Sequence, residues 1–265
     1  MRTPSISLPF SLIIGGVLLF ASCTKTGPQG PQGSTGPAAP IQYGTITGNV
    51  IMSNQYGSPV TNAYASGYIV LKNSATNATV DSVFANPTSG AYTISNVPTG
   101  TYNMECIYSG YGLNLHQNLE FDGGTLQADN KISAIPTFTV SSAQDTIRHK
   151  TATNYLYGSI TADPNGGRTL LIFVGPSGAT SSAPGTYNFT TTVVIPADSA
   201  NFTLTTALTT FYANGFTHGN TAYFAIYGAS DNYTFGDYTN FTYGQTVYTA
   251  ISAAPYNSGV MVTLP

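Results

Sequence analysis

The amino-acid sequence predicts an all-β protein, and three observations support this fold class. From Tyr43 onward, short segments rich in Val, Ile, Thr, Tyr and Phe alternate with clusters of Gly, Pro, Asn and Ser. The segments recur about every 8 to 12 residues, which is typical of sandwiches and barrels. No segment carries the apolar periodicity of an amphipathic helix. We therefore expect two β-sandwich domains that follow a disordered stalk.

The N-terminus combines the parts of a secretion signal with a cysteine. Met1-Arg2 gives a positive start, residues 8–20 are mostly apolar, and Ala21-Ser22 are small. The apolar stretch is shorter than the roughly 20 residues of a membrane-spanning helix. The placement of Cys23 resembles the lipobox of bacterial lipoproteins, except that Phe20 stands where that family prefers Leu. The resemblance implies a signal peptide at residues 1–22, lipidation of Cys23, and an outer-membrane lipoprotein that faces the periplasm or the cell surface. An ordinary cleaved signal is the alternative.

Four consecutive triplets with Gly in first position follow at residues 27–38. They resemble a collagen-like segment, and similar Gly-Pro-Gln stretches occur after the lipid cysteine in lipoproteins of the Bacteroidetes group. Four triplets are too few to hold three chains together by themselves, so a trimer is the less favoured alternative. We expect residues 23–42 to form a semi-rigid linker, of which about 14 residues at about 3.1 Å each span roughly 40 Å.

The composition limits the classes of partner. Only 6% of the residues are charged, 42% are hydrophobic, and the net charge is -3. The chain therefore lacks the basic surface that nucleic acid requires, and we expect no nucleic-acid partner. If Cys23 carries lipid, Cys106 has no partner for a disulfide, and we expect it to be a small core residue.

The first predicted domain spans residues 43–134. Its turn and strand motifs are Gly48-Asn49-Val50, Gly57-Ser58-Pro59-Val60, Ser89-Gly90-Ala91-Tyr92, Val97-Pro98-Thr99-Gly100-Thr101-Tyr102 and Ser109-Gly110-Tyr111. In this order they resemble the carboxypeptidase regulatory-like domains, a family of transthyretin-like β-sandwiches. The resemblance implies an accessory or binding module and carries no implication of peptidase activity.

The second predicted domain spans residues 135–265 and follows a polar passage at residues 122–131. A strand pattern at residues 135–140 opens this domain. We expect seven strands after it, at residues 156–161, 170–174, 191–195, 202–208, 222–227, 247–251 and 260–264. This number suits an immunoglobulin-like or fibronectin-like sandwich. Asn165-Gly166 predicts a hairpin between the first two of the seven strands. Residues 141–153 have the composition of a second polar passage.

The residue types that catalysis requires are scarce. The histidines are His116, His149 and His218, and none has the spacing of a zinc-peptidase ligand set. The mature chain has two glutamates, no Gly-x-Ser-x-Gly elbow and no phosphate-binding glycine loop. We therefore expect no enzymatic activity, no metal site and no cofactor.

Aromatic residues gather in residues 223–248. They are Tyr223, Phe224, Tyr227, Tyr233, Phe235, Tyr238, Phe241, Tyr243 and Tyr248. Exposed aromatic rings beside hydrogen-bonding side chains are typical of glycan and protein contacts, and the candidate ligand-binding residues are Tyr233, Tyr238, Tyr243, Asn232, Asp237 and Asn240. The alternative is that the aromatics only build strands, with Phe224 and Ile226 in the core and Tyr223 and Tyr227 on the other face.

Three Asp-Ser or Asp-Thr pairs that precede an apolar residue resemble the O-glycosylation sites of Bacteroidetes envelope proteins. The acceptors would be Ser82, Thr146 and Ser199, and the alternative is that these pairs only reflect ordinary turn composition. Taken together, the sequence predicts a non-enzymatic, lipid-anchored envelope protein whose β-sandwich modules bind a glycan or a protein in adhesion. The alternative is an accessory subunit or spacer of an outer-membrane complex with no ligand of its own.

Overall fold

The computed structural model describes residues 40–161, 165–256 and 259–265, and these residues form strands and turns almost throughout. The all-β fold class predicted from the sequence is therefore confirmed. The signal peptide, Cys23 and most of the collagen-like linker lie outside the described residues, so the predicted anchor and stalk stay predictions.

The first half of the described chain contains nine strands. They are β1 (Tyr43–Ser53), β2 (Pro59–Val60), β3 (Tyr68–Asn73), β4 (Thr79–Phe84), β5 (Ala91–Pro98), β6 (Gly100–Ile107), β7 (Asn114–Phe121), β8 (Gly124–Gln127) and β9 (Asn130–Ser133). A 3-10 turn spans Tyr64–Ser66. The predicted turn at Ser89-Gly90 is present, and Gly90 adopts a φ of 73°, which a residue without a Cβ takes at little cost.

Two sheets enclose the first core. Strand β1 pairs antiparallel with β2 and β5 and parallel with β8 and β9, while the facing sheet has the order β4-β3-β6-β7. Alternating apolar residues of β1, including Ile46, Val50 and Met52, are at most 2% exposed and face this core. Cys106 lies in the same core as predicted, and burial raises the pKa of its thiol to about 12.

The second half of the described chain contains nine further strands and one short helix. They are β10 (Val140–Arg148), β11 (Thr153–Ile160), β12 (Arg168–Gly175), β13 (Phe189–Ile195), β14 (Asn201–Ala207), α1 (Leu208–Ala213), β15 (Thr221–Ala229), β16 (Tyr238–Asn240), β17 (Gln245–Val247) and β18 (Met261–Thr263). A 3-10 turn at His149–Thr151 connects β10 to β11.

Seven of these strands form a second sandwich. One sheet has the order β10-β11-β14 and the other has the order β13-β12-β15-β18, while β16 and β17 form a separate hairpin. The predicted hairpin at Asn165-Gly166 is wrong, because β11 and β12 lie in different sheets and the connection crosses between them. The predicted polar passage at residues 141–153 is also wrong, because most of it is strand β10.

Arg168 lies at this crossing and is fully buried at the start of β12. Its Nη1 donates a hydrogen bond of 2.7 Å to the carbonyl oxygen of Thr161 at the end of the preceding sheet. Its Nη2 donates to the carbonyl oxygens of Pro196 and Ser199. The guanidinium therefore donates hydrogen bonds to three loop carbonyl oxygens. These bonds replace the water that the carbonyl groups lose on folding.

Strand β12 is buried along its whole length, because both of its faces are covered. Leu170, Ile172 and Val174 face the core between the two sheets. Leu171 and Phe173 face the opposite side, where they form a third cluster with residues of β15 and of residues 230–251, here named the cover segment. The sheet β13-β12-β15-β18 is therefore the middle layer of a stack.

The cover segment also contacts the first half of the chain, with which it belongs to one compact unit of residues 41–265. The backbone N–H of Asp231 donates to the carbonyl oxygen of Gln55 at 3.1 Å. Ser230 Oγ forms hydrogen bonds with Ser133 Oγ and with the carbonyl oxygen of Asn54. The first core uses residues 46–132 and the second uses residues 138–264, and independent folding of each half stays a prediction.

Candidate functional site

Most of the predicted aromatic cluster is internal packing. Phe173 makes edge-to-face contacts with Tyr187, Tyr227 and Tyr248, with ring centroids 4.9, 5.3 and 5.6 Å apart. Tyr233 packs against Tyr248 at a centroid distance of 6.1 Å. Edge-to-face pairs of this kind stabilise a core beyond the area that they bury. Tyr227, Tyr233 and Tyr248 of the predicted cluster therefore serve the structural role that the sequence left open as the alternative.

Two of the predicted polar ligands hold the cover segment in place. Nδ2 of Asn232 donates to the carbonyl oxygen of Gly57 in the first half at 3.2 Å. Oδ1 of Asn240 accepts from the backbone N–H groups of Thr242 and Tyr243 at 3.1 and 3.3 Å, which closes the turn between β16 and β17. A ligand-binding role for these two residues stays a prediction, and both side chains already have a structural function.

Asp237 lies half-buried in the same segment, close to aromatic side chains. Its Oδ1 accepts a hydrogen bond of 3.4 Å from the backbone N–H of Thr249. Burial raises the pKa of Asp237 to about 7, and the bond from Thr249 opposes this only in part. Burial also raises the pKa of Tyr233, with the nearby Tyr248 and Asp237 adding to the effect. Asp237 is thus a carboxyl group that changes charge near neutral pH inside a packed segment.

The remaining candidates of the cover segment lie on the β16–β17 hairpin. Tyr238 is half-buried on β16, whereas Tyr243 is 58% exposed and Phe241 is 70% exposed at the tip. The ring of Tyr243 lies against the backbone of Gly185, where a Cβ would approach its Cε1 to 2.6 Å. Among the predicted aromatic ligands Tyr233, Tyr238 and Tyr243, Tyr243 is therefore the most exposed to solvent.

The three predicted O-glycosylation acceptors differ in accessibility. Ser82 on β4 and Thr146 on β10 are exposed. Ser199 is half-buried, and its Oγ donates to the carbonyl oxygen of Asn201 at 3.2 Å. Modification of these residues stays a prediction, for which the structure favours Ser82 and Thr146 as acceptors over Ser199.

A different surface has the features of a binding site. The outer face of the sheet β10-β11-β14 carries a groove of about 340 Å³. Two rows of side chains cross the three strands at this face, and they are Gln144, Tyr157 and Thr203, then Ser142, Ser159 and Asn201. Tyr157 is 41% exposed at the centre of the first row. We name this surface the Tyr157 groove.

The Tyr157 groove combines one aromatic ring with a dense set of neutral hydrogen-bonding groups. The hydroxyl of Tyr157 donates to Oε1 of Gln144 at 3.0 Å, which leaves the amide nitrogen of Gln144 as a donor. An irregularity in pairing between Val140 and Ser142 brings the hydroxyls of Ser141 and Ser142 to 3.0 and 2.7 Å from Oγ of Ser159. Irregularities of this kind often re-aim side chains beside functional sites.

A buried polar pair lies on the opposite face of β10 and β11. Nδ2 of Asn154 donates to Oδ1 of Asp145, while Asp145 Oδ2 and Asn154 Oδ1 have no hydrogen-bond partner among the described residues. Burial raises the pKa of Asp145 to about 6, against the lowering effect of its hydrogen bonds from Asn154 and Thr146. The carboxyl group of Asp145 is thus turned away from the Tyr157 groove.

The sequence contains a signal for the Tyr157 groove that clusters of aromatic residues do not reveal. Outward positions alternate as Ser142, Gln144 and Thr146 on β10, Tyr155, Tyr157 and Ser159 on β11, and Asn201, Thr203 and Thr205 on β14. Polar residues at every second position on adjacent strands predict a solvated face with specific side chains. The signal becomes clear only when residues 141–148 are recognised as a strand.

Two features that often mark function are not found in the described part of the chain. No group of three or more His, Cys, Asp or Glu residues there could hold a metal ion. None of the helices in the described ranges has the length and hydropathy of a membrane span. The ring nitrogen Nε2 of His116 instead lies 3.2 Å from the carbonyl oxygen of Asp129, and burial lowers the pKa of His116.

Comparison with solved structures gives distant similarity to several bacterial proteins. No family model and no curated protein matches the sequence. A proposed carbohydrate-binding protein from Bacteroides uniformis has 14% identity and a TM-score of 0.30 over 84% of this chain and 100% of its own. DUF3823 family proteins from Bacteroides ovatus and Parabacteroides merdae have 14% and 11% identity, with TM-scores of 0.31 and 0.27. These two matches cover 84% and 80% of this chain and 100% and 98% of the other chains.

Proposed function

We propose that this protein is a non-enzymatic glycan-binding protein of the bacterial cell envelope, held there by a lipid on Cys23. The Tyr157 groove is the glycan site. The collagen-like segment at residues 27–38 separates the site from the membrane. Adhesion to a glycan-bearing surface is the role that such an arrangement would serve.

The observation that carries the proposal is the exposed ring of Tyr157 among neutral hydrogen-bonding side chains. A sugar ring presents a C–H face that packs on an aromatic ring, and hydroxyl groups that need partners when water is removed. The groove residues are Ser142, Gln144, Tyr157, Gly158, Ser159, Asn201, Phe202 and Thr203. Hydroxyl and amide groups both donate and accept, which matches the mixed requirement of sugar hydroxyls.

The same residues explain why we propose binding rather than catalysis. Glycoside hydrolysis uses a pair of carboxyl groups, one as acid and one as base or nucleophile. The residues that line the groove are neutral, and the nearby carboxyl group of Asp145 is buried on the other face of β10. The groove therefore offers a surface for a glycan with no acid or base at the glycosidic bond.

The experiment compares two tyrosine variants of the full-length protein in a non-ionic detergent. Binding to a panel of neutral and acidic polysaccharides is measured by affinity electrophoresis. We expect Tyr157→Ala to weaken binding about tenfold, because it removes the stacking surface at the centre of the groove. Tyr243→Ala is the matched control, since it removes a similarly exposed ring at the β16–β17 tip.

Each outcome decides between sites or functions. Loss of binding in Tyr243→Ala with full binding in Tyr157→Ala would move the site to the aromatic residues that the sequence singled out. A wild-type protein that binds no member of the panel would refute glycan binding. That result would favour the alternative of an accessory subunit without a ligand of its own.

A further inference from the structure

The surface beside the Tyr157 groove carries much of the exposed positive charge in the described part of the chain. That part contains five Lys and Arg residues. Lys72 forms an ion pair of 2.7 Å with Glu105, and Arg168 is fully buried. Arg148 and Lys150 are exposed, one at the end of β10 and the other in the 3-10 turn that follows. Two neighbouring cations thus lie at one end of the face that holds the groove.

Arg148 is placed as an anion receptor. Its Cζ lies 4.6 Å from the centroid of the Tyr155 ring, so the guanidinium is held over that ring. Among the described residues no carboxylate lies within ion-pair distance of Arg148. A guanidinium held over a ring keeps donor groups at its edge, and this arrangement suits carboxylate and sulfate oxygens.

The distance from this cation to the groove fits a single oligosaccharide. Tyr155 and Tyr157 face the same side of β11 and are two residues apart, which is about 7 Å along a strand. The acidic residue of β10, Asp145, faces the core on the other side of the strand. A local excess of positive charge therefore adjoins the tyrosine platform in a protein whose net charge is -3.

We propose that the glycan bound in the Tyr157 groove is acidic and carries a carboxylate or sulfate group that binds Arg148. One sugar ring stacks on Tyr157, and the anionic group of that ring or of its neighbour contacts the guanidinium. Lys150 adds attraction at longer range. This inference rests on the proposed glycan-binding function and specifies its ligand class.

The test uses matched acidic and neutral ligands with the full-length protein in non-ionic detergent. The probes are oligogalacturonate, oligoglucuronate and oligomannuronate, each beside its methyl ester, together with dextran sulfate beside dextran. Isothermal titration calorimetry measures each affinity. We expect binding to at least one acid and weaker binding to its neutral counterpart. Arg148→Gln should weaken acid binding about tenfold and leave binding of the neutral form unchanged.

Lys131→Gln serves as the control for a simple loss of charge. Lys131 lies 5.8 Å from the centroid of the Phe235 ring, which makes it a comparable cation over an aromatic ring away from the groove. An equal effect of Lys131→Gln and Arg148→Gln would show that net charge alone attracts the ligand and would overturn the proposed contact. Unchanged binding of the acidic ligand by Tyr157→Ala would also overturn the proposal, because the ligand would then not lie in the Tyr157 groove.

Two further outcomes separate the inference from the function on which it rests. Equal affinity for acids and their neutral counterparts, unaffected by Arg148→Gln, would overturn the acidic ligand and leave glycan binding intact. Absence of binding to every probe and to the neutral panel would refute the glycan-binding function itself. Recovery of acid binding in Arg148→Lys would show that charge at this position suffices, whereas continued loss would indicate that the guanidinium geometry is required.

Discussion

Ionisation of Asp237 should lower the stability of the folded protein as the pH rises. Burial raises the pKa of this carboxyl group from the ordinary value of 3.8 to about 7. The folded state therefore holds the proton more tightly than the unfolded state. The stabilisation is complete below about pH 4 and is lost progressively until the pH passes about 7, where both states are ionised.

The size of the effect follows from the shift and from the partial exposure of Asp237. A change from 3.8 to about 7 corresponds to at most about 4 kcal/mol at about 1.4 kcal/mol per pH unit. Asp237 is only half-buried, so water screens the charge and reduces the cost. We expect a loss of about 1 to 2 kcal/mol between pH 4.5 and pH 8.

The assay is urea unfolding followed by far-UV circular dichroism at the two pH values. Asp237→Asn keeps an acceptor for the N–H of Thr249 and cannot ionise, so its pH dependence should be smaller than that of the wild type by about 1 to 2 kcal/mol. Burial raises the pKa of Asp145 to about 6, so its ionisation also lowers the free energy of unfolding between about pH 4 and 6. This contribution is the same in the wild type and in Asp237→Asn. Asp122→Asn, which changes an exposed carboxylate, is the control. An unchanged pH dependence in Asp237→Asn would refute the reasoning.

Two further predictions concern the cover segment and the anchor. Gly236→Ala should destabilise the protein by about 1 kcal/mol more than Gly244→Ala in urea unfolding. Both glycines have positive φ, but a Cβ at Gly236 would lie 2.3 Å from the carbonyl oxygen of Leu113, whereas a Cβ at Gly244 would have no neighbour within 4 Å. Equal losses of stability in the two variants would contradict the close packing of Gly236 against the first half of the chain. Cys23→Ala should abolish incorporation of radiolabelled palmitate in the native host, and retained label would disprove the anchor at this residue. Protease treatment of intact cells would then distinguish the cell surface from the periplasm.

The strands of the first half were predictable because their side chains alternate between core and solvent. Alternating apolar positions of β1 and β6, such as Ile46 and Met104, are fully buried. The second half was harder to predict, because β12 is apolar on both faces and β10 is polar over much of its length. An Asn-Gly pair favours a hairpin locally, yet the chain at Asn165-Gly166 connects two sheets, since each neighbouring strand has other partners. Tertiary pairing thus overrode a local turn preference.

The functional site was less predictable than the fold. Composition identified the cover segment as aromatic, but composition does not distinguish a ring that packs on Phe173 from a ring that faces solvent. The Tyr157 groove draws residues from β10 and β11, which are consecutive, and from β14, which is separated from them in the chain by β12 and β13. Its recognition depends on the register that places Gln144 and Thr203 on either side of Tyr157. A single sequence does not specify the register between strands such as β11 and β14 that are not consecutive in the chain.

The buried guanidinium of Arg168 has a consequence for how β12 finds its position in the sheet. In most strands a slip by one residue is penalised because it turns apolar side chains toward water. In β12 such a slip would only exchange Leu170 and Ile172 with Leu171 and Phe173 between two apolar environments. Arg168 removes this ambiguity, because its hydrogen bonds to the carbonyl oxygens of Thr161 and two other loop residues form in one alignment only. One buried charged residue thus fixes the register of a strand whose apolar side chains alone do not specify it.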